Sequence, residues 1–316
     1  MKVAVLNDYQ RAVPTLECFG KLAEHEVEIF SDAERDEAKL AGRLAGFDAI
    51  VLIRERTRFT ASLIARLPRL KLLVQTGKVG PHVDMDACRA RGITVCDGGG
   101  SPVSTAELTW ALILMGMRDL PTEIERTRRG LWQGGLGRAV AGRRLGLLGF
   151  GRIAQRVARY AAAFDVPVTV WGRESTLARA REAGLKTAES LSGICAECDM
   201  VSVHLRLIDA TRSIIKFDHL AGMKPDALFV NTSRAELVEP GALERALKLG
   251  RPGRAAVDVF EDEPIFDPAH PLLALPNVVA TPHIGFVERD TYERYFGDAF
   301  EAVTAFAAGK PVRVVT

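Results

Sequence analysis

The 316-residue chain contains 47% hydrophobic and 26% charged residues, an ordinary globular composition that excludes disordered and low-complexity classes. Its 42 lysines and arginines nearly balance 40 acidic residues, and a formal charge of +2 does not favour a nucleic-acid or polyanion partner. The length corresponds to about two domains of roughly 150 residues each. Because no apolar run approaches about 18 residues and residues 1–6 resemble a strand rather than a signal peptide, we expect a soluble, cytoplasmic protein with reduced thiols.

The first hundred residues alternate short apolar segments with amphipathic ones. The predicted strands are residues 2–6, 27–30, 49–53, 70–74 and 93–96. The helices predicted between them are residues 34–45, 61–67 and 84–91. This βαβα pattern predicts an α/β fold with a parallel sheet that is covered by helices on both faces.

A glycine-rich loop at residues 98–102 separates this series from a long predicted helix, residues 103–117. A second alternating series then begins, and its predicted strands are residues 144–148, 168–171, 200–203, 228–231, 255–259 and 278–280. A last long helix is predicted at residues 290–308. We expect this helix to pack back on the first domain, which gives domains of 1–98 with 289–316, and of 99–288.

The strand at residues 144–148 leads directly into a Gly-x-Gly-x-x-Ala turn and a predicted helix, residues 153–164. In a dinucleotide-binding turn, Gly149 permits the tight bend and Gly151 lets the backbone approach a pyrophosphate. The N–H groups of Arg152 and Ile153, at the start of the helix, would hold the phosphates. The alternative is a strand–helix turn without a ligand, but both flanking elements favour a nucleotide site.

The end of the next strand bears on the choice between NAD and NADP. An acidic residue that binds the ribose 2′-hydroxyl is usual about 20 residues beyond the glycine turn. Here Gly172 occupies that region without a carboxylate, Arg173 offers a planar cation for a phosphate, and Ser175 offers a hydroxyl. The sequence therefore favours NADP; in the alternative, Arg173 is solvated surface and Glu174 binds the ribose of NAD.

Polar segments follow three successive strands of the second series. They are Asn-Thr-Ser-Arg at 231–234, Asp-Val-Phe-x-x-Glu-Pro at 258–264 and Thr-Pro-His-Ile-Gly at 281–285. Together with the glycine turn, and in this order, they resemble the D-2-hydroxyacid dehydrogenase family, which includes phosphoglycerate dehydrogenases and glyoxylate/hydroxypyruvate reductases. The resemblance covers essentially the whole chain. It implies a flavodoxin-like substrate domain, an NAD(P)-binding Rossmann domain, an active site in a cleft between them, and a homodimer.

The chemistry of hydride transfer between a nicotinamide and C2 of a 2-hydroxy acid agrees with these residues. Arg234 is suited to hold the substrate carboxylate and polarise the carbonyl, because a guanidinium can bind two oxygens at once. His283 is suited to exchange the hydroxyl proton near neutral pH. Glu263 is the candidate to orient that imidazole and favour its charged form. We therefore predict an NAD(P)-dependent 2-keto acid reductase with these three catalytic residues.

The resemblance implies further contacts with both ligands. Asp258 would receive the nicotinamide carboxamide, and the remaining residues implied to line the cofactor are Thr105, Val203, His204, Thr232 and Gly285. On the substrate side, the resemblance implies two loops. One carries Arg54 and faces the substrate, and the other binds the substrate carboxylate through backbone N–H groups at Gly77, Lys78 and Val79. Exposed basic loops and core packing are the alternatives for Arg54 and Thr105, respectively.

Some positions depart from the family pattern. Arg206 stands where a proline is usual, Lys78 stands in a loop that commonly reads Gly-Val-Gly, and Phe286 replaces a small residue. These changes leave the reaction type intact but do not identify the keto acid. A dinucleotide-sensing regulatory protein without turnover is the alternative from another class, although it would not need Arg234, Glu263 and His283 together.

The chain also contains a Cys-x-x-Cys pair, Cys195 and Cys198. No second pair and no histidine at ligand spacing accompanies it, so packing is the favoured role and no metal site is predicted.

Overall fold

A computed structural model describes residues 1–316, and the chain divides into two compact units. One unit combines Met1–Ser101 with Val287–Thr316, and the other is Pro102–Phe286. The sequence predicted domain boundaries at 98/99 and 288/289, and the two units divide at 101/102 and 286/287.

The first unit is built on a five-stranded parallel sheet in the order β2-β1-β3-β4-β5. Its strands are β1 (Lys2–Val5), β2 (Glu26–Ile29), β3 (Ala49–Leu52), β4 (Leu72–Gln75) and β5 (Thr94–Asp97). Its first helices are α1 (Glu37–Leu44), α2 (Ala61–Ala65) and α3 (Met85–Ala90), with 3₁₀ turns at Val13–Thr15 and Glu17–Leu22. The order 2-1-3-4-5 is that of flavodoxin-like folds, in which ligands bind beyond the carboxyl ends of the strands.

Local chemistry sets where the helices of this unit begin. The side chains of Asp36, Thr60 and Asp84 each accept a hydrogen bond from the backbone N–H three residues on, which caps α1, α2 and α3. The helix was predicted to start at residue 34, but α1 starts at Glu37, because Asp36 caps it. Every residue of β3 and β4 is buried, as expected for strands with helices on both faces.

The second unit is built on a seven-stranded parallel sheet in the order β12-β11-β10-β9-β6-β7-β8. Its strands are β6 (Leu145–Leu148), β7 (Val168–Trp171), β8 (Lys186–Thr187), β9 (Met200–Val203), β10 (Leu228–Asn231), β11 (Arg254–Val257) and β12 (Val278–Ala280). Its helices are α4 (Val103–Arg118), α5 (Leu120–Arg128), α6 (Arg152–Ala163), α7 (Glu174–Glu182), α8 (Leu191–Glu197), α9 (Phe217–Ala221) and α10 (Ala242–Lys248). Short 3₁₀ turns lie at Asp209–Thr211 and Ala235–Leu237.

This strand order is the classic dinucleotide-binding arrangement 3-2-1-4-5-6 with a seventh strand at one edge. The order reverses between β6 and β9, and ligands bind at such a switch point. The parallel sheets confirm the predicted α/β class. Sequence patterning missed β8, because two residues at a sheet edge are too few to show a period.

The last helix, α11 (Arg289–Ala307), belongs to the first unit, where it packs beside the 3₁₀ turn Glu17–Leu22 and against β4 and β5. Its buried face includes Tyr292, Phe296 and Phe300. None of the helices has the length and apolar content that a membrane crossing requires.

Candidate active site

Three predicted catalytic residues follow neighbouring strands of the second unit. Arg234 comes after β10, Glu263 after β11 and His283 after β12, and these strands are adjacent in the sheet. Because the strands are parallel, their carboxyl ends meet at one edge, so residues 20 to 49 positions apart lie on the same side of the sheet.

His283 and Glu263 are in direct contact. Nδ1 of the imidazole lies 2.5 Å from Oε2 of the carboxylate, and both side chains are only about 30% exposed. A carboxylate can only accept a hydrogen bond, so the Nδ1–H donates, which leaves Nε2 free of this contact. The other oxygen of Glu263 accepts from the backbone N–H of Phe260 at 2.9 Å. This second bond prevents the carboxylate from rotating away from the imidazole.

The backbone of His283 has φ +51°, in the left-handed region that few residues other than glycine adopt. Asp258 holds the surrounding loop in this shape. Its carboxylate accepts from the Thr281 hydroxyl at 2.6 Å and from the N–H groups of Ile284 and Gly285 at 2.8 Å each. A Cβ on Gly285 would lie 3.0 Å from Oδ2 of Asp258, so a side chain at this position would crowd the carboxylate.

Asp258 is 1% exposed, and its burial raises the pKa of the carboxyl above its usual value, an effect that the Thr281 hydroxyl and the two N–H donors oppose. The side chain of Phe286, one of the departures from the family pattern, stands edge-on to the His283 imidazole at a centroid distance of 5.7 Å. Asp258 and Phe286 therefore enclose the loop that carries His283.

Arg234 is the last residue of a polar turn, residues 231–234, in which side chains of the turn bond to its backbone. The amide of Asn231 donates to the carbonyl of Arg234 at 2.9 Å and accepts from the N–H of Ser233 at 3.0 Å. The Ser233 hydroxyl donates to the carbonyl of Leu205 at 2.7 Å, which ties the turn to the loop after β9. The guanidinium of Arg234 is half-buried and donates to the carbonyl of Ser233 at 2.7 Å.

The glycine turn after β6 fits a dinucleotide pyrophosphate. Gly149 has φ +98°, and a Cβ there would lie 2.6 Å from the carbonyl oxygen of His204. A Cβ on Gly151 would meet nothing within 4 Å, so open space lies at the start of α6. This helix begins without a side-chain cap, with Arg152 exposed and Ile153 half-buried, so its first N–H groups can bind an anion.

The end of β7 presents Arg173 and Ser175 to solvent, on either side of Glu174. The carboxylate of Glu174 lies 2.7 Å from the guanidinium of Arg181, in an ion pair along α7. The residue proposed as the alternative ribose ligand is thus engaged by a cation of its own helix.

Other predicted cofactor residues surround the glycine turn or reach α4. Val203 is fully buried in β9, and the imidazole of His204 lies 3.0 Å from the Ser202 hydroxyl. Burial lowers the pKa of His204 to about 4, so this imidazole is neutral near pH 7. Thr232 bonds to Thr109 at 2.7 Å, and the Thr105 hydroxyl donates to the carbonyl of Gly285 at 2.9 Å.

The predicted substrate residues form a separate group in the first unit, at the carboxyl ends of β3 and β4. Arg54 has φ +52°, its N–H donates to the Thr76 hydroxyl at 3.0 Å, and its guanidinium lies 5.8 Å from the ring centre of Tyr295. The carbonyl of Gly77 accepts from Gly98 at 3.0 Å.

Asp97, which the sequence analysis did not single out, organises the glycine loop of this group. The carboxylate accepts from Nζ of Lys78 at 2.8 Å and from the N–H of Val79 at 3.3 Å. Asp97 is 7% exposed, whereas the Lys78 side chain is 75% exposed. Lys78 is therefore held by an acidic neighbour, and the N–H of Val79 already has an acceptor. The position of Asp97, at the end of a strand beside the glycine-rich segment, was the available signal.

Ser104 and the pair of cysteines are two further buried groups of the second unit. Ser104, also not predicted, donates to the carbonyl of Gly285 at 2.8 Å and is buried. Cys195 and Cys198 are buried in the hydrophobic core of the second unit, and burial raises the pKa of each thiol to about 12. Both cysteines are therefore uncharged packing residues.

Comparisons with known proteins identify the family of the chain. Residues 110–285 match the family model described as D-isomer specific 2-hydroxyacid dehydrogenase, NAD binding domain. A glyoxylate reductase of Aeropyrum pernix is 37% identical over 80% of this chain and 78% of its own length. A D-3-phosphoglycerate dehydrogenase of Methanocaldococcus jannaschii is 32% identical over 88% of this chain. The matched region covers only 52% of that longer protein. Among solved structures, a phosphoglycerate oxidoreductase of Vibrio cholerae is 49% identical over 98% of this chain and 99% of its own, with a TM-score of 0.95.

Proposed function

Because the chain belongs to the D-isomer-specific 2-hydroxyacid dehydrogenase family, we propose that it interconverts a 2-keto acid and a D-2-hydroxy acid. The observation that carries this proposal is the contact between His283 and Glu263 at the carboxyl edge of the nucleotide-binding sheet. A protein that only senses a dinucleotide has no use for an oriented imidazole–carboxylate pair, whereas hydride transfer to a carbonyl requires a proton donor.

In this proposal, a bound nicotinamide dinucleotide supplies the hydride that is added to C2 of the keto acid. His283 donates the Nε2 proton to the carbonyl oxygen during reduction and takes it back during oxidation. Glu263 keeps the Nδ1–H bonded and stabilises the imidazolium. Arg234 binds the carboxylate and polarises the carbonyl through its two-pronged guanidinium. Arg54, Gly77, Lys78 and Val79 are proposed substrate-side residues.

The cofactor contacts are proposed for the residues around the glycine turn and the β7 end. Gly149, Gly151, Arg152 and Ile153 would hold the pyrophosphate, which the open space at Gly151 and the uncapped start of α6 support. Gly172, Arg173 and Ser175 would surround the adenine ribose. The remaining proposed cofactor contacts are Val203, His204, Thr232, Asp258 and Gly285. The hydroxyl of Thr105, which the family resemblance also implies to line the cofactor, donates to the carbonyl of Gly285.

We propose NADP as the preferred cofactor, since Arg173 is exposed at the end of β7 while Glu174 is paired with Arg181. Arg173→Ala is expected to weaken NADPH binding about tenfold, the effect of one lost charge-assisted hydrogen bond, and NADH binding by no more than about twofold. Fluorescence titration with both reduced cofactors measures this. Arg179→Ala, an exposed arginine of the same helix, is the control; equal losses for NADPH and NADH would show that Arg173 does not read the 2′-phosphate.

The identity of the keto acid is best tested with a substrate panel. Glyoxylate, hydroxypyruvate, phenylpyruvate, 2-ketoisocaproate and 3-phosphohydroxypyruvate would each be offered with NADPH and with NADH, and oxidation of the cofactor followed at 340 nm. We expect consumption with at least one small polar keto acid, since relatives are named for glyoxylate and phosphoglycerate. Tight NADPH binding without turnover of any member would instead favour the sensing function.

We also propose a homodimer, which an exposed apolar surface on the second unit supports. The surface comprises α5 and the segment after it, and its exposed large side chains are Leu120, Ile124, Leu131, Trp132 and Leu136. Trp132 is 80% and Leu136 95% exposed, although the segment is tied to α5 by hydrogen bonds from Gly134 and Gly135 to Glu123. Five large apolar side chains exposed within one segment of 17 residues are consistent with an interaction surface.

Replacing Trp132 and Leu136 together by glutamate is expected to convert the dimer to monomer, because charges would be buried in the interface. Light scattering coupled to size-exclusion chromatography gives the mass. Leu249→Glu, at a side chain that is 67% exposed outside this surface, should leave the mass unchanged. A wild-type mass of about one chain would refute the homodimer.

A further inference from the structure

Helix α4 carries three hydroxyl side chains near its amino end, Ser104, Thr105 and Thr109. Positions 105 and 109 are one helical turn apart, so they lie on the same face of the helix. Ser104 and Thr109 are buried and Thr105 is half-buried. Each hydroxyl has a partner in or next to one of the segments that carry Arg234 and His283, as follows.

The first partner is the carbonyl of Gly285, two residues after His283. The Ser104 hydroxyl donates to it at 2.8 Å and the Thr105 hydroxyl at 2.9 Å. The N–H of the same glycine donates to Asp258 at 2.8 Å. The peptide groups on both sides of Gly285 are therefore fixed, one by a carboxylate at the end of β11 and the other by two hydroxyls of α4.

The second partner is Thr232, two residues before Arg234. Its hydroxyl lies 2.7 Å from that of Thr109, and both residues are buried. The single proton of the Thr109 hydroxyl is donated to the carbonyl of Thr105, also at 2.7 Å. Because a hydroxyl has only one proton, Thr232 must be the donor of the bond between the two threonines.

We propose that Ser104, Thr105 and Thr109 are positioning residues that hold the His283 loop and the Arg234 turn in one register. This inference rests on the proposed function and deepens it, since both segments act on one substrate carbonyl. The three hydroxyls act through His283 and Arg234 and take no part in proton transfer themselves. Small displacements of catalytic groups are costly, as a misplacement of about 1 Å can reduce the rate about a hundredfold.

This role differs from the cofactor contact that the family resemblance implies for Thr105. The hydroxyl of Thr105 has one proton, and it is committed to Gly285. A residue that mainly binds cofactor would change the dissociation constant of NADPH when its hydroxyl is removed. A positioning residue would instead change kcat and leave that constant alone.

The test compares Ser104→Ala, Thr105→Val and the double variant with wild-type protein. Each single variant is expected to lower kcat about fivefold, because the Gly285 carbonyl keeps one donor. The double variant should lower kcat about a hundredfold, since the buried carbonyl then has no donor and the loop must rearrange. Thr105→Ser should restore the wild-type rate, and the dissociation constant of NADPH should stay within about twofold throughout.

Thr109→Val tests the link to the second segment. It is expected to raise the KM of the keto acid about fivefold, through loss of one hydrogen bond that supports the Arg234 turn. Thr304→Val is the matched control, because Thr304 also donates to a carbonyl of its own helix, at 3.0 Å, but lies in α11. The control should behave as wild type.

Hydrogen exchange of backbone amides, followed by mass spectrometry, provides a readout that needs no turnover. The double variant should exchange faster than wild type in peptides covering 281–286, and Thr109→Val in peptides covering 231–235, with the rest of the second unit unchanged. If the wild-type protein reduced no keto acid of the substrate panel, the proposed function would be refuted. Hydrogen exchange would still decide whether the three hydroxyls hold the two segments, because it needs no turnover. Unchanged exchange in both segments, or a weakened NADPH affinity at unchanged kcat, would overturn the inference.

Discussion

Replacing His283 by asparagine is expected to lower kcat for keto-acid reduction about a thousandfold, the scale of general acid catalysis by a positioned side chain. Asparagine can still donate a hydrogen bond to Glu263, but it has no proton to transfer at Nε2. The loop should keep its shape, because the three hydrogen bonds of Asp258, to the hydroxyl of Thr281 and to the N–H groups of Ile284 and Gly285, do not involve the imidazole. Stopped-flow absorbance at 340 nm separates loss of hydride transfer from slow product release.

Glu263→Gln is the matched partner of this variant, since it removes the charge and keeps the shape. A glutamine side chain can still accept from Nδ1–H, but the hydrogen bond is then no longer charge-assisted, so kcat is expected to fall about tenfold. NADPH affinity should be unchanged in both variants. If His283→Asn retained more than about a tenth of the activity, His283 would not be the proton donor.

Arg234→Lys is expected to reduce kcat/KM about a hundredfold although the positive charge is retained. An ammonium lacks the planar fork that bonds two oxygens side by side in fixed geometry, so binding and polarisation are weakened together. The bond from the guanidinium to the carbonyl of Ser233, which holds the side chain, is also lost in its present geometry. Steady-state kinetics over a range of keto-acid concentrations should show a higher KM and a lower kcat.

Arg212→Lys is the control for this substitution, because Arg212 is exposed on the loop after β9 in the same unit. Its kinetic constants should match those of wild type. An Arg234→Lys protein with wild-type kcat and only a raised KM would restrict Arg234 to ground-state binding of the carboxylate and exclude it from activating the carbonyl.

Short-range patterns predicted most of the fold. The strands are visible as short apolar runs and the helices as amphipathic segments with a period of about 3.6 residues, and both patterns depend only on neighbours along the chain. Strand β11 shows what such patterns cannot predict. It was predicted to run to residue 259 but ends at Val257, because Asp258 leaves the sheet to bind the loop of His283. Apolar character alone cannot signal that bond.

The site was also predicted unevenly, for a related reason. His283, Glu263, Arg234 and the glycine turn lie in ordered motifs, and motifs are visible in a sequence. Ser104 and Asp97 do not stand out, because a serine near a helix start and an aspartate at a strand end are common as ordinary caps. Only their partners, Gly285 for the former and Lys78 with Val79 for the latter, distinguish them.

The amino-acid sequence by itself determined the α/β class, the family and the residue types that the proposed chemistry needs, since these follow from local periodicity and from short ordered motifs. Only the tertiary structure decided which groups are hydrogen-bonded. The imidazole of His283 bonds to Glu263, Asp258 bonds to the loop that carries His283, and hydroxyls of α4 bond to Gly285 and Thr232. Those contacts join residues 20 to 181 positions apart, and only the order and register of the strands bring such distant residues within hydrogen-bonding distance.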